Sequence, residues 1–360
     1  MSHPGADTRI RSIPEGQQCQ HRRHAPGCDI RFSCFVYFVY FVYADQDALD
    51  RPRGRRSSCV RFMTVTRRPL LAAGLAGLSA LPVARPAGAV IVLDRTWRAE
   101  GGRPGRESEG FRAHEALAEQ SQFAPVIPLS TDGGEDWGIG SATWLGNYGG
   151  NAWVLSASHL FTRDNSVFDF TFRAPDGTLC KGDRQIRHPL FNGNNDDTTG
   201  YDVVLLRLRG PMNGGGPAPL LYGGTREQGA PVVMVGYGAR GIGSVGQDDA
   251  YDGPSGAKAA ATNVVHETMD RVQPPPRTGD RGNWLSVTLR RETEGAGRLD
   301  GLLGSGDSGG SLWMQTPAGW AVVGVNANGG DRYGDSSYFA RVSGLRPLLT
   351  SHEPGLRFGG

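Results

Sequence analysis

The feature that most constrains the fold is a succession of short apolar runs that begins near Phe123 and continues almost to the C-terminus. Clear examples are three to five residues long and lie at 126–129, 142–145, 153–155, 203–206, 232–235 and 321–325, with Gly, Asn and Asp clusters between them. Runs of this length between turn-forming residues are typical of β-strands. The 54 glycines and 23 prolines agree with many tight turns. The sequence therefore predicts an all-β fold of antiparallel strands, with one short helix around Leu345–Leu349.

Charge and cysteine content narrow the functional classes. The chain has 38 Lys and Arg against 36 Asp and Glu, so it has no global field that would attract nucleic acid or an anionic membrane. Four of the five cysteines lie in the first 62 residues, and Cys180 alone lies beyond them. A working protein without the first 62 residues would have no internal disulfide. Cys180 is then predicted to be a small buried hydrophobe.

Residues 63–89 have the three-part pattern of a secretory signal peptide. Arg67 and Arg68 form a basic start, an apolar run of about fifteen residues follows, and Ala87-Gly88-Ala89 is a small-residue triplet. Cleavage is expected after Ala89. The paired arginines resemble a twin-arginine export signal. An uncleaved anchor is the alternative, but the apolar run is short for a membrane span. The pattern predicts a protein secreted to the periplasm or the extracellular space, with no stable membrane anchor after cleavage.

Two further segments flank this pattern. Residues 1–62 contain three consecutive Phe-Val-Tyr triplets at 35–43 among Arg- and His-rich stretches. We interpret them as a misassigned start, with Met63 as the true one; a disordered extension is the alternative. Residues 90–122 are polar and are predicted to be a propeptide, a linker or an added surface helix. The Gly- and Pro-containing region 239–281 is expected to form a surface loop.

The sequence Gly306-Asp307-Ser308-Gly309-Gly310 is the best candidate for a nucleophile. A serine hydroxyl reacts poorly unless a base removes its proton and backbone N–H groups stabilise the oxyanion that forms on the attacked carbonyl. Neighbouring glycines allow the sharp turn and the close approach of a substrate that this chemistry needs. Gly-rich turns that contain serine are common, so this motif alone is a moderate signal.

A base and an acid stand beside apolar strand-like runs. His159 follows Trp153-Val154-Leu155, where a rigid element can hold its ring, although a lone histidine is more often structural. Asp202 directly precedes the run 203–206, and an aspartate entering such a strand needs a partner because an unpaired buried charge is costly. A histidine N–H is a suitable partner, while an aspartate in a turn before the strand is the alternative.

Taken together, these motifs resemble the chymotrypsin or trypsin-like serine peptidase family. The order His159, Asp202, Ser308 is the family's order. The segments 153–159, 187–189, 235–238, 307–312 and 338–342 resemble, in turn, its histidine motif, the segment before its aspartate, the opening strand of its second barrel, its nucleophile loop and its last strand. The resemblance covers roughly Phe123 to His352.

The resemblance implies a chymotrypsin-like peptidase domain over residues 123–352. It would consist of two antiparallel six-stranded β-barrels, about 123–215 and 216–352, followed by a short C-terminal helix. It also implies a serine endopeptidase that acts on protein or peptide substrates as a monomer, with no cofactor and no metal. No His-Glu-x-x-His or clustered Cys and His spacing is present in the sequence.

Carried over by position, the resemblance implies roles for individual residues. Ser308 would attack the scissile carbonyl, His159 would carry the proton and Asp202 would orient the imidazole. The N–H groups of Gly306 and Ser308 would form the oxyanion hole.

The implied specificity pocket has Leu302 as its floor, with Asn328 and Gly329 on its wall. A floor without a carboxylate disfavours Lys and Arg and indicates an apolar or small side chain. A residue that commonly supports the aspartate in the family is replaced here by Ala327. The family's aspartate before the nucleophile, here Asp307, often pairs with a new α-amino group, yet no Ile-Val-Gly-Gly-like terminus precedes the first barrel.

Two other classes of protein are compatible with parts of the sequence. The Gly306–Gly310 motif also fits the G-x-S-x-G of α/β-hydrolase esterases, but that fold needs its histidine after the serine, where only His352 is found. A non-catalytic binding module on a protease-like scaffold is the second alternative, and the intact His159, Asp202 and Ser308 argue against it.

Overall fold

The computed structural model describes residues 89–162, 166–193, 199–269 and 283–360. The predicted extension 1–62 and all of the predicted signal peptide except Ala89 lie outside the described residues. Among the described residues, no helix has the length and hydropathy needed to cross a bilayer.

The described chain is dominated by β-strands. The first half has β1 (Ile91–Val92), α1 (Asp94–Ala99), α2 (Arg112–Ala118), β2 (Val126–Ser130), β3 (Gly140–Tyr148), β4 (Asn151–Ser156), β5 (Thr171–Arg173), β6 (Leu179–Arg187) and β7 (Val204–Leu208). The second half has β8 (Leu220–Tyr222), β9 (Pro231–Gly236), β10 (Gly241–Ile242), β11 (Gly246–Gln247), β12 (Ala259–Val264), β13 (Glu267–Met269), β14 (Trp284–Thr288), β15 (Gly301–Leu302), β16 (Ser311–Thr316), β17 (Gly319–Gly329), β18 (Ser336–Arg341), α3 (Val342–His352) and β19 (Phe358–Gly359). The predicted all-β class and the closing helix, α3, are confirmed.

The strands form two sheet systems. Six strands close into a barrel in the order β2-β3-β4-β7-β6-β5. The second half forms a larger sheet in the order β12-β9-β16-β17-β18-β14-β13, which β8 and β19 extend from β17. A small separate sheet, β11-β10-β1-β15, joins the N-terminal end of the described chain to the second half. This arrangement is the predicted chymotrypsin-like architecture, with the first barrel closed and the second sheet curved around its own core.

Strand alternation divides the apolar side chains between separate cores. In β7, Val204, Leu206 and Leu208 point into the first barrel, whereas Leu205 joins a second core that residues from both halves share. Successive strand residues face opposite sides, so a continuous apolar run such as 203–206 is buried on both faces. Leu345 and Leu349 of α3 complete the shared core. The two sheets thus pack against each other through a common apolar layer.

The segment 90–122 packs against the second half of the molecule. β1 lies between β10 and β15, with Ile91 opposite Leu302, and the residues 89–93 are 0–1% exposed. The following helices contribute Trp97 and Phe111 to the same core, and α2 packs on β12. The region 239–269, expected to lie in a surface loop, instead contains β10 to β13, so that part of the expectation was wrong. β12 is rich in alanine, whose low β-propensity gives no strand signal.

Candidate active site

Two of the predicted catalytic side chains come from neighbouring strand ends of the first barrel. After β4, a 3-10 turn (Ser158–Leu160) carries His159, and Asp202 lies just before β7, which pairs with β4. Asp202 is fully buried. Its Oδ2 accepts a hydrogen bond from Nδ1 of His159 at 2.5 Å, and its Oδ1 accepts the backbone N–H of the same residue at 2.9 Å. A carboxylate held on Nδ1 orients the ring and leaves Nε2 available for proton transfer.

The hydrogen bonds of Asp202 also show what holds its carboxylate when Ala327 replaces the supporting residue of the family. Ala327, at the position where the family commonly has a supporting hydroxyl, offers no donor from its side chain. Both carboxylate oxygens of Asp202 are instead bound by His159, one through the ring and one through the backbone. Each carboxylate oxygen of Asp202 therefore has a hydrogen-bond donor from His159.

Ser308 lies in the turn before β16, and the glycines around it are required by close contacts. Gly306 has φ of +91° and Gly309 has φ of +83°. A Cβ on Gly306 would lie 2.2 Å from the carbonyl oxygen of Gly138, and one on Gly309 would lie 2.2 Å from that of Ser141. Side chains at these two positions would collide with the backbone of the first half, so only glycine lets the loop lie this close to Gly138 and Ser141.

The N–H groups of Gly306 and Ser308 belong to peptide units whose carbonyls are both hydrogen-bonded within the protein. The carbonyl of Ser305 accepts the N–H of Ala239 at 2.6 Å. The carbonyl of Asp307 accepts the side-chain amide of Asn326 at 3.0 Å. In a trans peptide the N–H points away from the carbonyl. Neither N–H has a protein acceptor among the described residues, and unpaired donors of this kind are what an oxyanion hole requires.

A cleft of about 540 Å³ contains both His159 and Ser308. It is lined by Ile139, His159, Leu160, Gln247, Leu303, Gly304, Ser305, Gly306, Ser308, Ala327, Asn328, Gly329, Gly330 and Asp331. Ser308 Oγ donates a long hydrogen bond, 3.4 Å, to the carbonyl of Ala327, which a bulge in β17 places there. The structure therefore brings the base, the candidate nucleophile and the two backbone donors to one cleft.

The predicted pocket residues divide into two groups. Asn328 and Gly329 line the cleft as expected, but Leu302 does not. Leu302 is fully buried in β15, where it pairs with Ile91 and packs in the core of the second half. Alternation along the strand then turns the next residue, Leu303, towards the cleft. The prediction that Leu302 forms the floor of the pocket was wrong, because its side chain packs in the core of the second half and Leu303 lines the cleft instead.

Polar residues that the sequence analysis missed join the two walls of the cleft. Oε1 of Gln247 accepts the backbone N–H of Ser305 at 2.8 Å. The backbone N–H of Gln247 donates to Oδ2 of Asp331 at 2.9 Å. Asp331 gives the cleft a carboxylate, and none of the lining residues is Lys or Arg. Asp331 lies in a turn after β17, and no local pattern in the sequence indicates that this turn reaches the cleft.

Asp307 anchors the nucleophile loop from beneath. Its side chain is fully buried, and it accepts backbone N–H groups of Gly238, Gly304 and Val90 at 2.9, 2.8 and 3.2 Å. Burial raises the pKa of this carboxyl to about 6, against the lowering effect of those hydrogen bonds. The contact with Val90 was not foreseen from the sequence, because the two residues are 217 positions apart.

Cys180, predicted to be a buried small hydrophobe, is a free buried cysteine in the core of the first barrel. Burial raises the pKa of its thiol, with a smaller contribution from Asp176. A thiol with a raised pKa is a poor nucleophile.

The chain is similar to known proteins in both structure and sequence. The structure is similar to that of neuropsin, a serine protease expressed in the limbic system of mouse brain, at 17% sequence identity and a TM-score of 0.45, over 64% of this chain and 96% of that one. The sequence profile of the trypsin family matches residues 146–349, which is more than half of the chain and includes His159, Asp202 and Ser308. The chain belongs to the trypsin family of serine proteases.

Proposed function

We propose that this protein is a secreted serine endopeptidase that cleaves peptide bonds with His159, Asp202 and Ser308 as its catalytic triad. The observation that carries the proposal is the hydrogen bond between the buried Asp202 carboxylate and Nδ1 of His159. His159 lines the same cleft as Ser308 and Gly306, whose backbone N–H groups are unpaired among the described residues. Each part has a separate chemical task in acyl transfer; His159, Gly306 and Ser308 line one cavity, and Asp202 lies buried behind His159.

The acylation step follows from these tasks. His159 Nε2 removes the proton of Ser308 Oγ as the oxygen attacks the scissile carbonyl, and Asp202 stabilises the imidazolium that forms. The carbonyl oxygen becomes an oxyanion, which accepts hydrogen bonds from the N–H groups of Gly306 and Ser308. One such donor contributes about 10²–10³-fold to the rate. His159 then gives its proton to the departing amine, and an acyl group remains on Ser308.

Deacylation repeats the sequence with water. His159 removes a proton from a water molecule that attacks the acyl carbonyl, the same two N–H groups stabilise the second oxyanion, and Ser308 leaves with its proton restored. All the groups required come from this chain, so the proposed reaction needs neither a cofactor nor a second subunit.

The location and substrate of the enzyme are part of the proposal. The pattern at 63–89 supports secretion by way of a cleaved signal peptide. The expected preference for an apolar or small side chain loses its main support, because Leu302 lies outside the cleft. Asp331 adds negative charge instead, which disfavours acidic substrate side chains at that point.

The α/β-hydrolase alternative does not fit the structure. That fold places its serine between a strand and a helix of a mainly parallel sheet, whereas Ser308 precedes β16, which pairs antiparallel with β9 and β17. A non-catalytic module on the same scaffold remains the second candidate, and it is distinguished by experiment.

The test is hydrolysis of an unstructured protein by the secreted, mature enzyme and by its Ser308→Ala variant. We expect cleavage by the first and at least a 10³-fold slower rate for the second, because the variant lacks the hydroxyl that forms the acyl-enzyme. Ser351→Ala, on the exposed face of α3, is the matched control and should retain full activity.

A serine-reactive phosphonate provides an independent readout. We expect one equivalent to be incorporated, at Ser308. A folded mature protein that neither cleaves protein nor reacts with the phosphonate would favour the non-catalytic module.

A further inference from the structure

A second cavity, separate from the cleft that contains Ser308, is the observation from which a further inference follows. Its volume is about 530 Å³, and the two cavities have no lining residue in common. Its walls combine apolar residues of β2 with four charged side chains, Glu115, Glu119, Arg173 and Lys258. Sites for small organic ligands are typically concave, of roughly 300–1,000 Å³, with apolar walls and a few polar groups. The second cavity has these properties.

Three parts of the chain meet at the second cavity. Glu115 lies on α2 and Glu119 follows the end of that helix, β2 contributes residues 126–128, and Lys258 directly precedes β12. Both α2 and β2 lie outside residues 146–349, the part of the chain that the trypsin profile matches. One wall of the cavity is therefore built from sequence that the profile of the family does not cover.

The ammonium group of Lys258 has no carboxylate partner. Its Nζ donates a hydrogen bond to the backbone carbonyl of Phe123 at 3.3 Å, and none of the ion pairs among the described residues includes it. Burial lowers the pKa of this amine, although the negative charge of Glu119 acts against the lowering. A cation that has left water is costly without an opposite charge. An anion in the cavity would therefore stabilise the charged form of Lys258.

Arg173 brings a second cation to the same cavity. Its Nη2 donates to the backbone carbonyl of Gly256 at 3.0 Å, and its guanidinium lies over the ring of Trp137, 4.7 Å from the centroid. Gly256 is two residues before Lys258, so one short segment contacts the first cation and carries the second. In the part of the chain that the structure describes, no carboxylate forms an ion pair with Arg173. Stacking on Trp137 fixes the plane of the guanidinium.

The two carboxylates of the cavity limit the kind of anion that can bind. Glu115 is already paired, because its Oε1 accepts a hydrogen bond from the buried Arg240 at 2.6 Å. Glu119 is exposed and belongs to no ion pair of the described residues. Because like charges repel, these groups disfavour a multiply charged anion such as phosphate. A carboxylate has a single charge, and its two oxygens match the planar guanidinium of Arg173.

We propose that the second cavity binds a small organic monocarboxylate. Lys258 and Arg173 hold the carboxylate, and the apolar part of the ligand contacts Val126, Ile127 and Pro128. The carboxyl terminus of a short peptide and a branched short-chain fatty acid share this chemistry, and the probes below distinguish them. The inference does not rest on the proposed peptidase function, because no residue of the catalytic cleft takes part in it.

The test is isothermal titration calorimetry with the secreted, mature protein at neutral pH and constant ionic strength. N-acetyl-leucine represents the end of a peptide. 4-Methylpentanoate has the same branched group and a carboxylate but no amide. N-acetyl-leucine amide has the same body without the charge, and sulfate is a small anion without an apolar part.

We expect saturable binding of one carboxylate probe per protein, and binding at least about tenfold weaker for the neutral amide, the usual effect of losing a hydrogen bond to a charged group. Tighter binding of N-acetyl-leucine than of 4-methylpentanoate would identify peptide termini as the ligand class. The reverse order would identify fatty acids. Sulfate should bind more weakly than either carboxylate.

Three variants locate the binding. Lys258→Met keeps the length of the side chain without its charge and should weaken carboxylate binding at least about tenfold. Glu119→Gln removes a repelling charge and should strengthen the binding about two- to fivefold, as expected for an exposed charge. Lys181→Met, at an exposed position of β6, is the matched control and should leave the affinity unchanged.

The stability of Lys258→Met without any probe separates a ligand-binding role from a structural one. Because this variant removes a partly buried cation that lacks a carboxylate partner, it should resist denaturant at least as well as the wild type. Lower stability together with unchanged affinity would assign Lys258 a structural role and overturn the inference.

Other results would also overturn the inference. These are absence of saturable binding by both carboxylates at millimolar concentrations, equally tight binding of the neutral amide or of sulfate, and carboxylate binding that Lys258→Met leaves unchanged. The last result would place the probe at another site, such as the catalytic cleft. Lys258→Met should cleave an unstructured protein at the wild-type rate, because this residue lies outside that cleft. Failure of the carboxylate site and failure of the peptidase function are therefore measured separately.

Discussion

The two halves of the proposed catalytic site are built in different ways. The first barrel is a closed ring of six strands from one stretch of chain, and its β4 and β7 bring His159 and Asp202 into contact. The nucleophile loop in the second half is instead held by distant parts of the sequence: Val90 from before the first barrel, Gly238 from after β9 and Asn326 from β17. The base and its acid are thus preorganised locally, whereas the oxyanion site depends on long-range contacts.

This difference indicates where regulation can act. A closed barrel offers no free strand position, so the geometry of His159 and Asp202 follows once the first barrel has formed. The second half leaves a gap between β10 and β15 that a separate segment, β1, fills. A site whose last contact comes from a remote segment remains incomplete until that segment is in place.

The largest expected effect tests the pair of His159 and Asp202 in the first barrel. Asp202→Asn should lower kcat about 10⁴-fold, because an amide on Nδ1 favours the wrong tautomer of His159. Steady-state kinetics with a peptide ester would measure the loss. Asp183→Asn, which removes a partly exposed ion pair with Arg207 in the same barrel, is the matched control and should change kcat less than twofold. A variant at Asp202 that keeps a tenth of the activity would show that the base is oriented by other groups.

A smaller effect is expected in the second half of the molecule, which carries the nucleophile loop. Asp307→Asn replaces one carboxylate oxygen that accepts backbone N–H groups with an amide nitrogen but preserves the size of the side chain. The nucleophile loop should then lose part of its anchoring, and kcat should fall about 10²-fold through the oxyanion donors. The control is Asp249→Asn, an exposed position, which should have no effect on kcat.

A second readout decides whether the loss at Asp307→Asn is local to the oxyanion site. The NMR signal of the His159 Nδ1 proton, which reports the pair with Asp202, should stay unchanged in this variant. Loss of that signal would mean that the two halves are coupled, and the distinction between them would then fail.

The same distinction explains what could be read from the sequence. His159, Asp202 and Ser308 each adjoin an apolar run or a glycine motif, so the local pattern identifies them. The all-β class follows from the same runs. These features depend on strand alternation and turn chemistry, which act over a few residues.

Long-range pairing could not be read in this way. Leu302 was assigned to the pocket by its distance in sequence from Ser308. In the structure it pairs with Ile91, and its side chain lies in the core. Val90 was separated from Asp307 by the whole first barrel, and nothing in its neighbourhood predicts that contact. Register between distant strands is set by the packing of the finished fold, and a single sequence does not display it.

The smallest expected effect concerns the stability of the second half in acid. His114 on α2 is fully buried, its Nδ1 lies 2.8 Å from the carbonyl of Ala260, and burial lowers its pKa to about 4. Between pH 6.5 and 4, the unfolded chain binds a proton at this residue that the folded protein does not. The free energy of unfolding should therefore fall as the pH falls through this window. Asp307 acts in the opposite direction, because its raised pKa favours the folded state at lower pH.

A difference measurement separates the two residues. Denaturant unfolding of the wild type and of His114→Asn between pH 4 and 7 shares the contribution of Asp307, so the difference between the proteins isolates His114. We expect the variant to be less stable at pH 7, and the wild type to lose about 2–3 kcal/mol more than the variant on acidification, at about 1.4 kcal/mol per pKa unit. Burial also lowers the pKa values of His188 and His266, but both residues are present in the two proteins, so the difference belongs to the contact between α2 and β12. Parallel pH profiles for the two proteins would place the acid-sensitive group elsewhere.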